Sequence, residues 1–177
     1  SDGMAAVALG TDTAGSVRVP SALCGLAGFK PTARRVTDEG IFPLARSLDS
    51  VGPLAPSVAC CALVDAIFAG EAPPTLRQRP PRGLRLAVPK HLVLDDMDEV
   101  VAGAFQAALS KLSAAGAQVT EIDFAELARL PAINRIGGFS TAEAYALHRD
   151  TLARASDQYD PNVAGRIQMG DAWTAAD

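Results

Sequence analysis

The segment Gly10-Thr11-Asp12-Thr13-Ala14-Gly15-Ser16 gathers small and hydroxylated residues around a single serine. A phosphate-cradling loop needs lysine directly after its second glycine, and Ser16 stands there instead. The GxGxxG dinucleotide fingerprint is absent from the segment as well. A GxSxG nucleophile elbow would need glycine at 14 and 18, where the chain has Ala14 and Arg18. What remains is a serine among residues whose backbone can approach a ligand closely. The N–H groups of Thr13, Ala14, Gly15 and Ser16 can turn toward one point, as an oxyanion hole requires. A serine hydroxyl is a weak nucleophile until a base takes its proton. Asp12 and Arg18 flank the serine with opposite charges and can pair to fix the loop. A plain glycine-containing turn with a capping serine accounts for the same residues.

The other reactive side chains carry weaker signals. His91 and His148 are the only histidines, no motif surrounds either, and both read as surface or capping residues. Cys60 and Cys61 lie inside an apolar helical stretch and read as small core residues, since a metal site needs spaced ligands. Cys24 is near Ser16 in sequence but ranks below it as a nucleophile. Asp160, Arg166, Glu143 and Tyr145 suit solvated helix positions as well as they suit approach to a substrate.

These residues need elements to position them. Met4 to Leu9 is too short for periodicity to separate a helix end from a strand. Gly10 to Ser16 reads as a loop, and Ser21 to Phe29 as a tight turn or short helix. Lys30 to Pro56 reads as loop-rich, because Gly40, Pro43, Gly52, Pro53 and Pro56 interrupt it. Ser57 is an N-cap candidate for a helix over 58–69, closed by Gly70. Residues 71–82 hold four prolines and three arginines and read as an internal connector. Leu84 to Val88 predicts a strand. Met97, Val100, Val101, Ala104, Phe105, Ala108, Leu109 and Leu112 then recur at helical spacing, with Asp95, Asp96, Asp98 and Glu99 at the favourable end and Gly116 as the stop. Ala117 to Phe124 predicts a second strand, so 84–124 has the βαβ pattern of a parallel pair. A further helix is predicted from Thr141 to about Ser156.

Composition sets the class. Of 177 residues 49% are hydrophobic and 20% charged, which excludes a disordered chain. The net charge is −4 without a basic run, which argues against a nucleic-acid partner. No apolar stretch reaches membrane-spanning length, so no membrane partner is expected. Three cysteines, two of them adjacent, form no disulfide framework and suit a reducing, cytoplasmic setting.

The run Ala8-Leu9-Gly10-Thr11-Asp12-Thr13-Ala14-Gly15-Ser16-Val17-Arg18-Val19-Pro20-Ser21-Ala22-Leu23-Cys24-Gly25 resembles the signature of the amidase signature family. The resemblance continues in order through Gly28-Phe29-Lys30-Pro31-Thr32, Gly40, Pro43 and Ser47-Leu48-Asp49-Ser50-Val51-Gly52-Pro53. It extends more loosely through 82–124, Ala142-Glu143-Ala144-Tyr145 and Tyr159-Asp160-Pro161 to Arg166. It implies an α/β fold with a mixed sheet covered by helices on both faces, and residues 1–177 as the central part of one amidase domain. It further implies a hydrolase of small carboxamides using a Ser–cis-Ser–Lys triad and no cofactor or metal. By motif position Ser16 is the nucleophile, Thr13, Ala14, Gly15 and Ser16 supply the oxyanion hole, and Asp12 and Arg18 organise the loop. The triad lysine and cis-serine belong ahead of the signature and are missing from this chain; Lys30 belongs to the Lys-Pro-Thr element. Ala14 stands where glycine is usual.

Two other expectations stand beside this one. The glutamine-hydrolysing subunit of a tRNA-dependent amidotransferase shares the signature, but typically has glutamine where this chain has Val19. A catalytically silent segment that only binds partner chains is the other. Apolar faces left without neighbours also leave open a homo-oligomer.

Overall fold

The computed structural model describes residues 2–77 and 79–174. The chain is α/β and divides into two compact units, one formed by 2–76 with 136–174, the other by 77–135. The division at Leu76 and Arg77 falls inside the proline- and arginine-rich stretch.

The first unit opens with strand β1, Ala8–Asp12, and helix α1, Arg18–Leu23. Strand β2 is the short Ala27–Gly28, strand β3 is Ser50–Ala55, and helix α2 is Val58–Phe68. The strands form an antiparallel sheet in the order β1-β3-β2, with Gly10 opposite Gly52 and Asp12 opposite Ser50. Two expectations change here. Gly10, Thr11 and Asp12 belong to β1, so the loop proper starts at Thr13. Ser50–Ala55, assigned to loop on its glycine and proline content, is the central strand. Pro53 cannot donate, yet its carbonyl accepts the Phe29 N–H at 3.1 Å, so it still takes part in pairing. Gly52 is required by close approach: a Cβ there would lie 2.1 Å from the Phe29 carbonyl oxygen. Val17, Val51, Ala55, Cys61 and Ala66 are each buried in this unit.

Helix α2 starts and stops as its sequence predicts. The Ser57 hydroxyl accepts from Cys60 N–H at 3.2 Å, and Gly70 takes φ +70° beyond its end.

In the second unit, strand β4 is Arg85–Pro89, helix α3 is Glu99–Ala114 and strand β5 is Gln118–Ile122. The two strands pair in parallel, as the βαβ pattern predicts. The Asp98 side chain caps α3 by accepting from Val100 N–H at 2.8 Å, and Gly116 follows with φ +95°. Phe105, Leu109 and Leu112 are its half-buried stripe, whereas Val100 and Val101 are exposed. A short helix α4, Leu130–Ile133, ends the unit.

The first unit resumes with helix α5, Gly138–Ala155, and helix α6, Pro161–Gln168. Ala144, Leu152, Ala164 and Ile167 form their shared core, with Tyr145 and Tyr159 against it. Asp160 caps α6 by accepting from Asn162 and Val163 N–H, and Arg166 lies exposed in its last turn.

Among the described residues, no helix is long and apolar enough to cross a membrane.

Candidate active site

Strand β1 delivers the candidate loop. Asp12, its last residue, is fully buried, and the chain then turns through Thr13 to Val17 before α1 begins. Burying a carboxylate is costly without partners. Here Oδ2 accepts from the N–H groups of Val17 and Arg18 at 3.2 and 3.3 Å. The Arg18 guanidinium adds two further bonds, Nε to Oδ2 and Nη2 to Oδ1, both at 3.0 Å. This planar two-point pairing joins the two ends of the loop. The Arg18 hydrogen bonds hold the Asp12 carboxyl well below the usual carboxylate range, although burial opposes them.

Lys30 fastens the same loop through its main chain. Its ammonium donates to the carbonyl oxygens of Asp12 at 2.6 Å, Thr13 at 2.8 Å and Leu48 at 2.8 Å. An ammonium has three protons to donate; the three carbonyls lie closest, and Asp12 Oδ1 adds a longer ionic contact at 3.4 Å. The loop is tied a third time by Asp49, whose Oδ1 accepts the Thr13 hydroxyl at 2.5 Å. The other oxygen of Asp49 accepts the N–H groups of Leu44 and Ala45 at 2.8 and 2.9 Å, which shapes the preceding turn.

With its ends and its start held, the loop presents Ser16 at the surface, along with Ala14. Val17, next to the serine, is fully buried and anchors the turn from below. Gly15 is buried at φ +148°, and a Cβ there would stand 2.9 Å from Val19 Cγ2. That conformation and that space both select glycine. The Gly15 carbonyl starts α1 by accepting Val19 N–H at 2.7 Å. Among the described residues, the N–H groups of Thr13, Ala14, Gly15 and Ser16 meet no protein acceptor. Four consecutive unengaged donors beside a serine hydroxyl can bind an anion, or the oxygen of a polarised carbonyl.

The loop brings together all six sequence-predicted site residues, which lie between Asp12 and Arg18. Within the first unit, His148 bonds Tyr159 and Pro43 rather than Ser16. His91 sits in the second unit, 2.5 Å from Asp123 Oδ1. His148 corrects the expectation of a surface or capping residue: it is 5% exposed and bonds Tyr159 and the Pro43 carbonyl at 3.1 and 3.0 Å. Cys61 is buried as expected, with its thiol 3.3 Å from the Ala27 carbonyl, while Cys24 is exposed and Cys60 half-buried.

Sequence reasoning missed the supports provided by Lys30, Asp49 and the Thr13 hydroxyl. Their signal was present, since Lys30 and Asp49 both sit inside motifs that accompany the serine loop. Spacing alone, 18 residues from Asp12 to Lys30 and 36 from Thr13 to Asp49, does not reveal the contacts.

A cavity of about 590 Å³ lies nearby, lined by Thr11, Arg34, Arg35, Asp49, Ser50 and Val51 among others. The Ser50 hydroxyl is buried there and has no hydrogen-bond partner among the described residues.

Comparison with known proteins agrees with the fold. The chain is 37% identical over 171 residues to a 2-amino-5-chloromuconic acid deaminase from Comamonas testosteroni, covering 96% of this chain and 37% of that protein. It is 41% identical over 133 residues to a glutamyl-tRNA(Gln) amidotransferase subunit from Roseiflexus castenholzii, covering 68% of this chain and 27% of that protein. The chain thus spans well under half the length of these relatives. A crystal structure of an amidase superposes with a TM-score of 0.81 at 31% identity, over 96% of this chain and 38% of that one. The family model described as Amidase matches residues 1–173, and the chain belongs to the amidase family.

Proposed function

We propose that this chain carries the nucleophile loop of an amide hydrolase acting on a small carboxamide, within a single amidase domain that extends beyond it. One observation carries the reading: exposed Ser16 ends a run of four unengaged backbone N–H groups, on a loop tied down at Asp12, Thr13 and Arg18. Ser16 Oγ attacks the amide carbonyl carbon as a base removes its proton. The carbonyl oxygen becomes an oxyanion, and the N–H groups of Thr13, Ala14, Gly15 and Ser16 stabilise it. Collapse of that tetrahedral intermediate breaks the C–N bond and expels ammonia or an amine, which takes up the proton. Water then hydrolyses the Ser16 acyl ester.

The base in this reading is the lysine, relayed through a cis-serine, that the family resemblance places ahead of the signature. Lys30 is unsuited to the part, because its ammonium already serves three carbonyls. The scheme needs no cofactor or metal.

Glutamine hydrolysis within an amidotransferase is a second reading, supported by the amidotransferase relative at 41% identity. Val19, where glutamine is typical of that relative's class, favours the free-standing hydrolase.

Ammonia release from a panel of carboxamides, glutamine included, tests both. Mass spectrometry should show an acyl adduct on Ser16 in the intact protein, and Ser16→Ala should lower turnover by about 10⁴-fold or more. Full turnover by Ser16→Ala would remove the proposal, and turnover confined to glutamine would favour the second reading.

A further inference from the structure

Helix α5 reaches the nucleophile loop through an intermediate turn, Pro43 to Asp49. Glu143 binds one end of that turn: its Oε2 accepts Ser47 N–H at 3.0 Å, and its Oε1 accepts the Ser47 hydroxyl. His148 binds the other end, donating from Nε2 to the Pro43 carbonyl at 3.0 Å. A carbonyl oxygen only accepts, so Nε2 carries a proton, and Nδ1 forms a hydrogen bond with the Tyr159 hydroxyl at 3.1 Å. The Phe42 and Tyr159 rings pack edge-on against the imidazole, with centroids 5.1 and 6.2 Å away. Both ends of the turn are therefore held by one rigid helix whose own core is Ala144 and Leu152.

The far side of the same turn holds the nucleophile loop. Asp49 gathers the N–H groups of Leu44 and Ala45 and accepts from Thr13, and the Leu48 carbonyl shares the Lys30 ammonium with Asp12 and Thr13. The contacts run unbroken from α5 to the first residue of the loop. A turn tied only to the loop would move with it. A turn tied to α5 resists that movement.

We propose that Glu143 and His148 are positioning residues, which set the geometry of the Thr13–Ser16 loop through the Pro43–Asp49 turn. This rests on the reading of Ser16 as the nucleophile. Neither side chain touches the reacting atoms; each holds the turn that holds Thr13. Displacement of reacting groups by about 1 Å costs on the order of 100-fold in rate, so small slackening here reaches the chemistry.

The test uses the intact protein with Glu143→Ala, Glu143→Gln, Ser47→Ala and His148→Phe. Three quantities are read: kcat and KM for amide hydrolysis, the rate at which a fluorophosphonate caps Ser16, and hydrogen–deuterium exchange over residues 13–19. Glu143→Ala and His148→Phe should lower kcat and capping together by about 10- to 100-fold while KM stays within about twofold. Within 13–19, exchange should rise at the bonded amides of Val17, Arg18 and Val19 while α2 stays protected. Glu143→Gln keeps an acceptor for the Ser47 hydroxyl and should recover part of the loss. Should Glu143→Ala fail to fold, Ser47→Ala removes the hydroxyl half of the same link from the exposed side. It leaves the Ser47 N–H bond to Oε2 and should give a smaller change in the same direction. Folded variants with unchanged exchange over 13–19 and unchanged capping overturn the inference. Wild-type protein that neither hydrolyses amides nor is capped at Ser16 overturns the functional reading instead, and the exchange measurement still decides whether α5 holds the loop.

Discussion

Lys30 Nζ donates to the main-chain oxygen of Asp12 at 2.6 Å, while the side chain of the same aspartate is taken by Arg18. Lys30 Nζ also lies 3.4 Å from Asp12 Oδ1, so both cations reach the carboxylate, and Lys30 alone reaches the main-chain oxygen. Lys30 acts on the loop's path, and Arg18 on its closure.

Replacing Lys30 separates that role from proton transfer. Lys30→Met strands three carbonyl acceptors and should destabilise by about 1–3 kcal/mol in urea unfolding. Lys30→Arg should rescue poorly, because a planar guanidinium fork cannot match an ammonium directed at three carbonyls. Loss of activity at unchanged stability would instead mark Lys30 as the base.

The Asp12–Arg18 pair predicts a direction for pH. Arg18 holds the folded Asp12 pKa well below the unfolded value of about 3.9. A depressed carboxyl contributes stability that is complete above the unfolded value and is lost as pH falls below it, toward the folded value. Urea midpoints should therefore fall as pH drops below about 4, and Asp12→Asn should flatten that dependence. At neutral pH the substitution should cost about 1–3 kcal/mol, toward the lower figure because Arg18 is half exposed and screened. An unchanged slope in Asp12→Asn would assign the acid limb to other carboxylates.

Gly15 carries the turn into Ser16. Gly15→Ala imposes a side chain at φ +148° and sets a methyl 2.9 Å from Val19 Cγ2. The expected cost is about 1–3 kcal/mol, with a parallel loss of Ser16 reactivity toward a fluorophosphonate. Val19→Ala in the same background should relieve the contact but leave the backbone strain. Partial recovery, measured by thermal unfolding and capping rate, is the expected outcome.

Arg35 links Asp65 of α2 to Glu71, at 2.8 Å to the former and 2.7 Å to the latter. Asp65 is 6% exposed, and one of its oxygens already lacks a partner. Arg35→Leu leaves a buried carboxylate unpaired and should lower Tm. The double variant Arg35→Leu/Asp65→Leu should lose less than Arg35→Leu alone, because it removes that uncompensated charge. Equal losses would show that packing, rather than charge, sets the effect.

The amino-acid sequence alone determined the helices with strong local signals. Ser57 and Gly70 bracket α2, and the Asp98 cap with the stripe through Leu112 marks α3, because capping and 3.6-residue periodicity are written within a few residues. It also determined the serine loop and its Asp12–Arg18 closure, which span only seven positions.

Only the tertiary structure decided the rest. Ser50–Ala55 reads as loop because glycine and proline disfavour strands, yet it is the central strand: Gly52 admits the Phe29 carbonyl and Pro53 still offers its own as an acceptor. His148 reads as unremarkable surface because its partner Pro43 is 105 residues away. Glu143 meets Ser47 across 96 residues, and Asp49 meets Thr13 across 36. Local pattern reports the energy of a residue with its chain neighbours. Contacts between distant segments depend on how sheet, turn and helix pack together, and that packing converts a short loop of small residues into a held one.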